Sequence, residues 1–208
     1  MAIDFVYLAS ASPRRRQLLA QIGVPFQILS VDVDESIAAG ESPERYVLRV
    51  AEAKAVAGLA SRAAARRPQG PVLGADTAVV AAGAILGKPV DCADAERMLG
   101  LLSASTHEVL TGVALALDGG VLSRLSRSEV TFREITREEA RDYWNTKESR
   151  DKAGRYAIQG YGAVFVSALR GSYSGVMGLP LFETAQMLRS AGVPCWLETK
   201  GIAATDGH

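Results

Sequence analysis

Short β-rich runs alternate with helical stretches along this chain, and that alternation confines it to an α/β architecture with helices packed on a sheet. FVYLA (5–9) reads as a first strand, after which Ser12 and Pro13 stand as N-cap and first helical residue of RRRQLLAQI. FQILS (26–30) reads as a second strand. Beyond the acidic loop VDVDES, Ser42 and Pro43 repeat the cap-then-proline signal and open a long alanine-rich helix over 43–65. PVLGADTAVV (71–80) predicts a mostly buried strand interrupted by Gly74, with AILGKP (84–89) as its short hairpin partner. A helix over 94–102 precedes two long strands, joined at the hairpin signal Asp118-Gly119-Gly120. Thr136 and Glu139 form a capping box for the next helix. The glycine-rich stretch 151–177 contains a strand, AVFVSAL, and a last helix opens near Pro180. The polar tail 201–208 reads as frayed, which leaves one domain over 1–200.

Charge narrows the function. Across 208 residues, 23 Lys and Arg balance 23 Asp and Glu, so the overall charge points to no nucleic-acid partner and no membrane surface. No run approaches the roughly 18 apolar residues of a membrane span, and the N-terminus lacks a basic flank, so a cytoplasmic location is expected. Cys92 and Cys195 stand far apart with no metal-ligand spacing and read as incidental thiols. GAILGKP has three residues between its glycines and a proline where a P-loop requires Ser or Thr. GSYSG places Tyr173 where a nucleophile elbow requires Ser. With His107 and His208 as the histidines, neither a catalytic triad nor a histidine-rich metal site can be assembled. His107 is expected to be a hydrogen-bonded structural residue in a strand. No G-x-G-x-x-G follows the first strand, which removes the usual dinucleotide reading.

The charge that remains is local. LASASPRRRQLL (8–19) concentrates Arg14, Arg15 and Arg16 at a helix N-terminus, where the helix dipole favours acids rather than bases. A phosphate chain would offset that cost by taking the guanidinium donors and the helix N–H groups together; a solvated basic face paired with nearby acids is the alternative. Asp76 lies in the middle of an apolar strand, and a carboxylate there needs a cation. With Glu35 it makes a candidate site for a hard divalent ion, Mg²⁺ or Mn²⁺, beside the phosphate-binding helix. A salt bridge from Asp76 to a core-facing Lys or Arg is the competing reading. Lys54 and Lys88 are candidates for further phosphate contacts.

Taken together, LASASPRR, VDES, AEAKA, LGADTAVV, LGKP, THEVLTGVAL, DKAGRYAIQG and GSYSGVMGLPLFET resemble the Maf family of nucleoside triphosphate pyrophosphatases, in the family's order from about residue 5 to residue 190. The resemblance implies two lobes around a long mixed twisted sheet with flanking helices, and an active site in the cleft between them. It implies metal-dependent hydrolysis of a nucleoside triphosphate to the monophosphate and pyrophosphate. Residue by residue, it assigns Arg14 and Arg15 to phosphate binding, Lys54 and Lys88 to the cleft, and Glu35 and Asp76 to metal or base positions, with Asp76 as proton acceptor. Arg16 receives no role. AIQG looks like the subgroup that prefers dTTP and UTP, with Gln159, Thr77 and Arg14 linked to that preference and Ser12 beside them in substrate binding. A glutamine amide suits the base, because uracil and thymine present an O4 acceptor next to an N3–H donor. The family further implies a homodimer. A nucleotide-binding regulator of cell division is the alternative function, and single-strand binding through the triple arginine is a weaker third.

Overall fold

Two crossovers at the N-terminal end set the architecture of the protein, for which a computed structural model describes residues 4–87, 90–148 and 156–196. Strand β1 (Val6–Leu8) leads through helix α1 (Pro13–Gln21) to β2 (Phe26–Ile28), which pairs with it in parallel. The chain then returns through helix α2 (Pro43–Ala64) to β3 (Val72–Ala81), parallel to β1 on its other side. Reversing direction at β1 puts the two helices on opposite faces of the sheet when both crossovers are right-handed. The side chains confirm it. Val6 and Leu8 pack with Leu18 and Leu19 of α1, whereas Tyr7 and Ala9 pack with Ala51 and Ala55 of α2.

Past β3 the sheet is antiparallel. A tight turn brings β4 (Ala84–Leu86) back on β3, helix α3 (Cys92–Leu102) follows, and β5 (Thr106–Leu117) and β6 (Gly120–Phe132) form a long hairpin through Asp118-Gly119. Helix α4 (Arg137–Asn145), with the Thr136/Glu139 capping box in place, precedes β7 (Val166–Arg170) on the far edge. Two more helices, α5 (Tyr173–Met177) and α6 (Leu181–Ser190), complete the described chain. The strand order is β2-β1-β3-β5-β6-β7, with β4 also on β3.

Helix α2 runs along one face of this sheet. The other face is covered in two places, by α1 and α6 over Leu73, Val113 and Leu115, and by Leu99, Leu102 and Tyr143 over Val79, Val109 and Val130. Strands β3 and β5 are buried along nearly all their length because helices cover both faces, which explains their almost unbroken apolar sequences.

Several boundaries differ from the sequence reading for identifiable reasons. The second strand stops at Ile28; Leu29 still donates its N–H to the Leu8 carbonyl, and the chain then leaves the sheet for the acidic loop. Residues Tyr161–Phe165 form a 3-10 turn, so the strand expected from Ala163 begins only at Val166. Helix α3 starts two residues early, where the Asp91 carboxylate caps Asp94 N–H. Ser12 occupies the N-cap position of α1 but makes no side-chain cap. Helix α5 was not expected; Ser172 caps it and Gly178, at φ 118°, ends it in the left-handed region.

His107 lies buried on β5, its Nε2 2.9 Å from the Tyr156 hydroxyl and its ring edge-on to Phe132. Burial pulls its pKa down to about 4. A depressed imidazole contributes stability that is present above the unfolded value near 6.5 and is lost as pH falls toward the folded value. Between pH 7 and pH 5 this site alone is expected to cost about 2 kcal/mol. Urea unfolding of the wild type and of His107→Phe at both pH values tests this; an equal pH-dependent loss in the two proteins would refute it.

Candidate active site

The pairing of β3 leaves a gap. On one edge, Val72 and Leu73 pair with β1 and Val79 to Ala81 pair with β4, so Gly74 to Ala78 have no strand neighbour on that side. The gap opens at the carboxyl end of β1, where the chain crosses to opposite sides of the sheet, the place at which α/β sheets form ligand crevices. A cavity of about 780 Å³ occupies it, lined by Ser12, Arg14, Arg15, Glu35, Lys54, Asp76, Thr77 and Gln159 among others. Lys88 lies outside the described residues, although Gly87 before it lines the cavity. The cavity is within the size range of small-molecule sites.

Alternation along β3 sends Asp76 toward α2 and Thr77 to the opposite face. Asp76 is 8% exposed, and the ammonium of Lys54 on α2 meets its Oδ1 at 2.9 Å. The same ammonium meets Glu35 Oε1 at 2.6 Å. Two carboxylates therefore converge on one cation, which satisfies the demand of an acid in an apolar strand. Thr77 Oγ1 lies 3.0 Å from Thr111 Oγ1, and Thr111 donates to the Gly175 carbonyl, so β3, β5 and α5 are tied together beneath the cavity.

Glu35 comes from a loop without regular structure, and α2 holds that loop in place. Tyr46 donates its hydroxyl to the Glu35 carbonyl at 3.1 Å. Arg49 makes two charge-assisted bonds to Glu41, at 2.6 and 2.8 Å, and donates to the Ser36 carbonyl at 2.8 Å. The Arg49 guanidinium holds the Glu41 carboxyl down to about 2. Burial, with the charges of Asp76 and Glu35 behind it, pushes the Tyr46 phenol up to about 12, so it remains a donor.

The arginines are anchored from the far side. Arg14 Nε donates to the Met177 carbonyl at 3.3 Å and Arg15 Nε to the Gly178 carbonyl at 2.8 Å, while Arg15 Nη1 donates to Ser10 Oγ at 3.2 Å. The carbonyl end of α5 thus offsets part of the charge crowded at the start of α1. Burial lowers the Arg15 pKa, with Asp76 acting in the opposite direction. No side chain caps the first turn of α1, whose N–H groups retain their capacity for an anion.

A sequence model of a known family, described as Maf-like protein, matches residues 5–191. The chain belongs to the Maf family. Among its relatives, a dTTP/UTP pyrophosphatase of Saccharophagus degradans is 55% identical over 192 residues, covering 92% of this chain and 90% of the relative. Proteins of the same name from Aromatoleum aromaticum (52% over 198 residues; 91% and 96% covered) and Alkalilimnicola ehrlichii (55% over 184 residues; 88% and 91% covered) are similarly close.

The parts of this Maf site that sequence reasoning missed are its supports. Tyr46 and Arg49 sat unremarked on the polar side of α2, and the carbonyls of Met177 and Gly178 carry no side-chain signal. Only the spacing of Tyr46 and Arg49 ahead of Lys54 on one helix, opposite an acidic loop, hinted at them. No helix among the described residues is long and apolar enough to cross a membrane.

Proposed function

We propose that this Maf protein is a nucleoside triphosphate pyrophosphatase that converts dTTP and UTP, together with modified pyrimidine nucleotides, to the monophosphate and pyrophosphate. The observation that carries the proposal is the meeting, in one cavity, of paired carboxylates with an uncapped helix N-terminus bearing Arg14 and Arg15. The names of relatives at 52–55% identity supply the base preference.

In this reading Arg14, Arg15 and Ser12, with the N–H groups of α1, bind the phosphate chain and neutralise the pyrophosphate that leaves. Asp76 accepts the proton of a water that attacks the α-phosphorus; a P–O bond forms as the bond to the bridging oxygen breaks. Lys54 holds both carboxylates, and Lys88 takes the catalytic role that the family resemblance assigns to it. Thr77 and Gln159 meet the base, with the Gln159 amide offering an acceptor to N3–H and a donor to O4.

The donor set also suits a divalent cation. Among the described residues no cluster of three or more His, Cys, Asp or Glu stands ready. Glu35 and Asp76 nevertheless each place a carboxylate oxygen on the Lys54 ammonium and so lie close together in the cavity, and Mg²⁺-type ions use one or two carboxylates completed by substrate phosphates. These two residues would hold Mg²⁺ or Mn²⁺, which when bound supplies charge neutralisation on the phosphate oxygens. The proposal further takes the protein as one two-lobed domain over residues 1–200, a cytoplasmic homodimer with no nucleic-acid partner.

The test is pyrophosphate release from dTTP, UTP, CTP, GTP and 7-methyl-GTP with Mg²⁺ or Mn²⁺, and with EDTA as control. Metal-dependent turnover led by dTTP and UTP is expected. Preference for 7-methyl-GTP would overturn the base assignment, and nucleotide binding without turnover would favour the regulator of cell division instead.

A further inference from the structure

The residue proposed to read the base sits at an exposed turn, and the structure shows what holds that turn. Ile158 and Gln159 are its central residues, closed by a hydrogen bond from Gly160 N–H to the Ala157 carbonyl at 3.0 Å. Ala157 N–H is buried and donates at 3.0 Å to the hydroxyl of Tyr143, which comes from α4 and is 4% exposed. That hydroxyl in turn donates to Glu148 Oε2 at 2.7 Å. Beyond the turn, the Glu148 carboxylate accepts from Tyr161 N–H at 2.9 Å and from Gly162 N–H at 3.2 Å. One tyrosine and one carboxylate therefore bind the backbone on both sides of Gln159.

The surroundings are built around this pair. A Cβ at Gly160 would overlap Glu148 Oε1, and one at Gly162 would lie 2.9 Å from the Tyr143 hydroxyl, so GYG at 160–162 is the sequence that lets the carboxylate reach the backbone. Burial, then the hydrogen bond to Glu148, raises the Tyr143 pKa, so the phenol keeps its proton and bridges Ala157 to Glu148. Tyr156, next to Ala157, is anchored separately by His107.

We infer that Tyr143 and Glu148 are specificity-determining positioning residues, which hold the 157–162 backbone so that Gln159 presents its amide to the base. The inference rests on the reading that Gln159 contacts the base. Neither Tyr143 nor Glu148 lines the cavity, so they act through the turn and not on the substrate.

Steady-state kinetics on dTTP and CTP with Mg²⁺, for Tyr143→Phe, Glu148→Gln and Gln159→Ala, test it. In Tyr143→Phe and Glu148→Gln, KM for dTTP is expected to rise about tenfold, equivalent to about 1.4 kcal/mol, with kcat changed less than about threefold. The preference for dTTP over CTP falls accordingly. A merely structural role would lower kcat on both substrates in proportion to the folded fraction and leave KM and the preference alone, and that result would overturn the inference. If Gln159→Ala loses the preference while Tyr143→Phe and Glu148→Gln keep it, the inference fails and the base reading stands. If Gln159→Ala keeps the preference, the base reading itself fails and takes the inference with it.

Discussion

Asp76→Asn is expected to lower turnover of dTTP by about a thousandfold or more while nucleotide binding stays measurable. The substitution keeps the shape of the side chain and its capacity to accept from Lys54, which lies 2.9 Å away, but it removes the basic lone pair that, in the proposed mechanism, takes the proton of the attacking water. General-base contributions of about 10² to 10⁴ in rate set the scale, and losing half of the proposed two-carboxylate metal site adds to it. The arginine end of the cavity is untouched, so the phosphate chain still has its donors. Pyrophosphate release gives the first quantity, and calorimetric titration with a non-hydrolysable α,β-methylene analogue of dTTP gives the second. An unchanged rate would remove Asp76 from the mechanism; loss of binding together with rate would make it a substrate ligand instead.

Gly112→Ala is expected to be strongly destabilising for the addition of a single methyl group. Gly112 pairs with Asp76 across β3 and β5 and faces α2. An added Cβ would overlap the Val47 carbonyl oxygen and lie 2.9 Å from Leu48 N, both backbone atoms of a 22-residue helix that cannot yield locally. Overpacking of this kind costs about 3 kcal/mol, which lowers Tm by roughly 6–12 °C in a domain of this size. The same shift displaces Tyr46, Arg49 and Lys54, so kcat falls with stability. Gly100→Ala is the contrast: it lies inside α3 with nothing within 4 Å of the added carbon, and the gain in helix propensity stabilises by about 0.5–1 kcal/mol. Thermal denaturation of both variants decides the matter, and a neutral Gly112→Ala would mean that α2 is not seated directly on the sheet.

The two glycines of β3 and β5 also show how far a sequence can be read. Gly74 registers only as an interruption in an apolar strand, yet a Cβ there would overlap the Ala51 carbonyl oxygen and lie 2.7 Å from Ala55 N. Gly112 pairs with Asp76 in the same seat. Together they let α2 lie against the backbone and bring Lys54 within reach of Asp76. Periodicity reports which residues are apolar, but the distance between a helix axis and a sheet depends on which small residues meet across the interface. For the same reason Ala163–Phe165 reads as strand and folds into the 3-10 turn Tyr161–Phe165: its apolar residues fit either form, and the Glu148 carboxylate bonded to the N–H groups of Tyr161 and Gly162 selects the turn.

What the sequence determined by itself was local and chemical. Alternating strand and helix patterns, cap-then-proline pairs at Ser12 and Ser42, the Asp118-Gly119 hairpin and a carboxylate inside an apolar strand all rest on interactions within a few residues; those two helix starts, the Ser42 cap, the hairpin and the carboxylate are found as the pattern places them, whereas Ser12 holds its N-cap position without a side-chain bond. The motifs in order were enough to indicate the family. Only the tertiary structure decided how Arg14, Glu35, Lys54, Asp76 and Gln159 come to share one cavity, because they meet through a reversal of crossover direction at β1 and a gap on the edge of β3. Their supports are equally non-local. Arg15 is anchored by a carbonyl 163 positions away, and the turn bearing Gln159 by Tyr143 and Glu148, contacts whose partners are backbone atoms that no residue pattern marks.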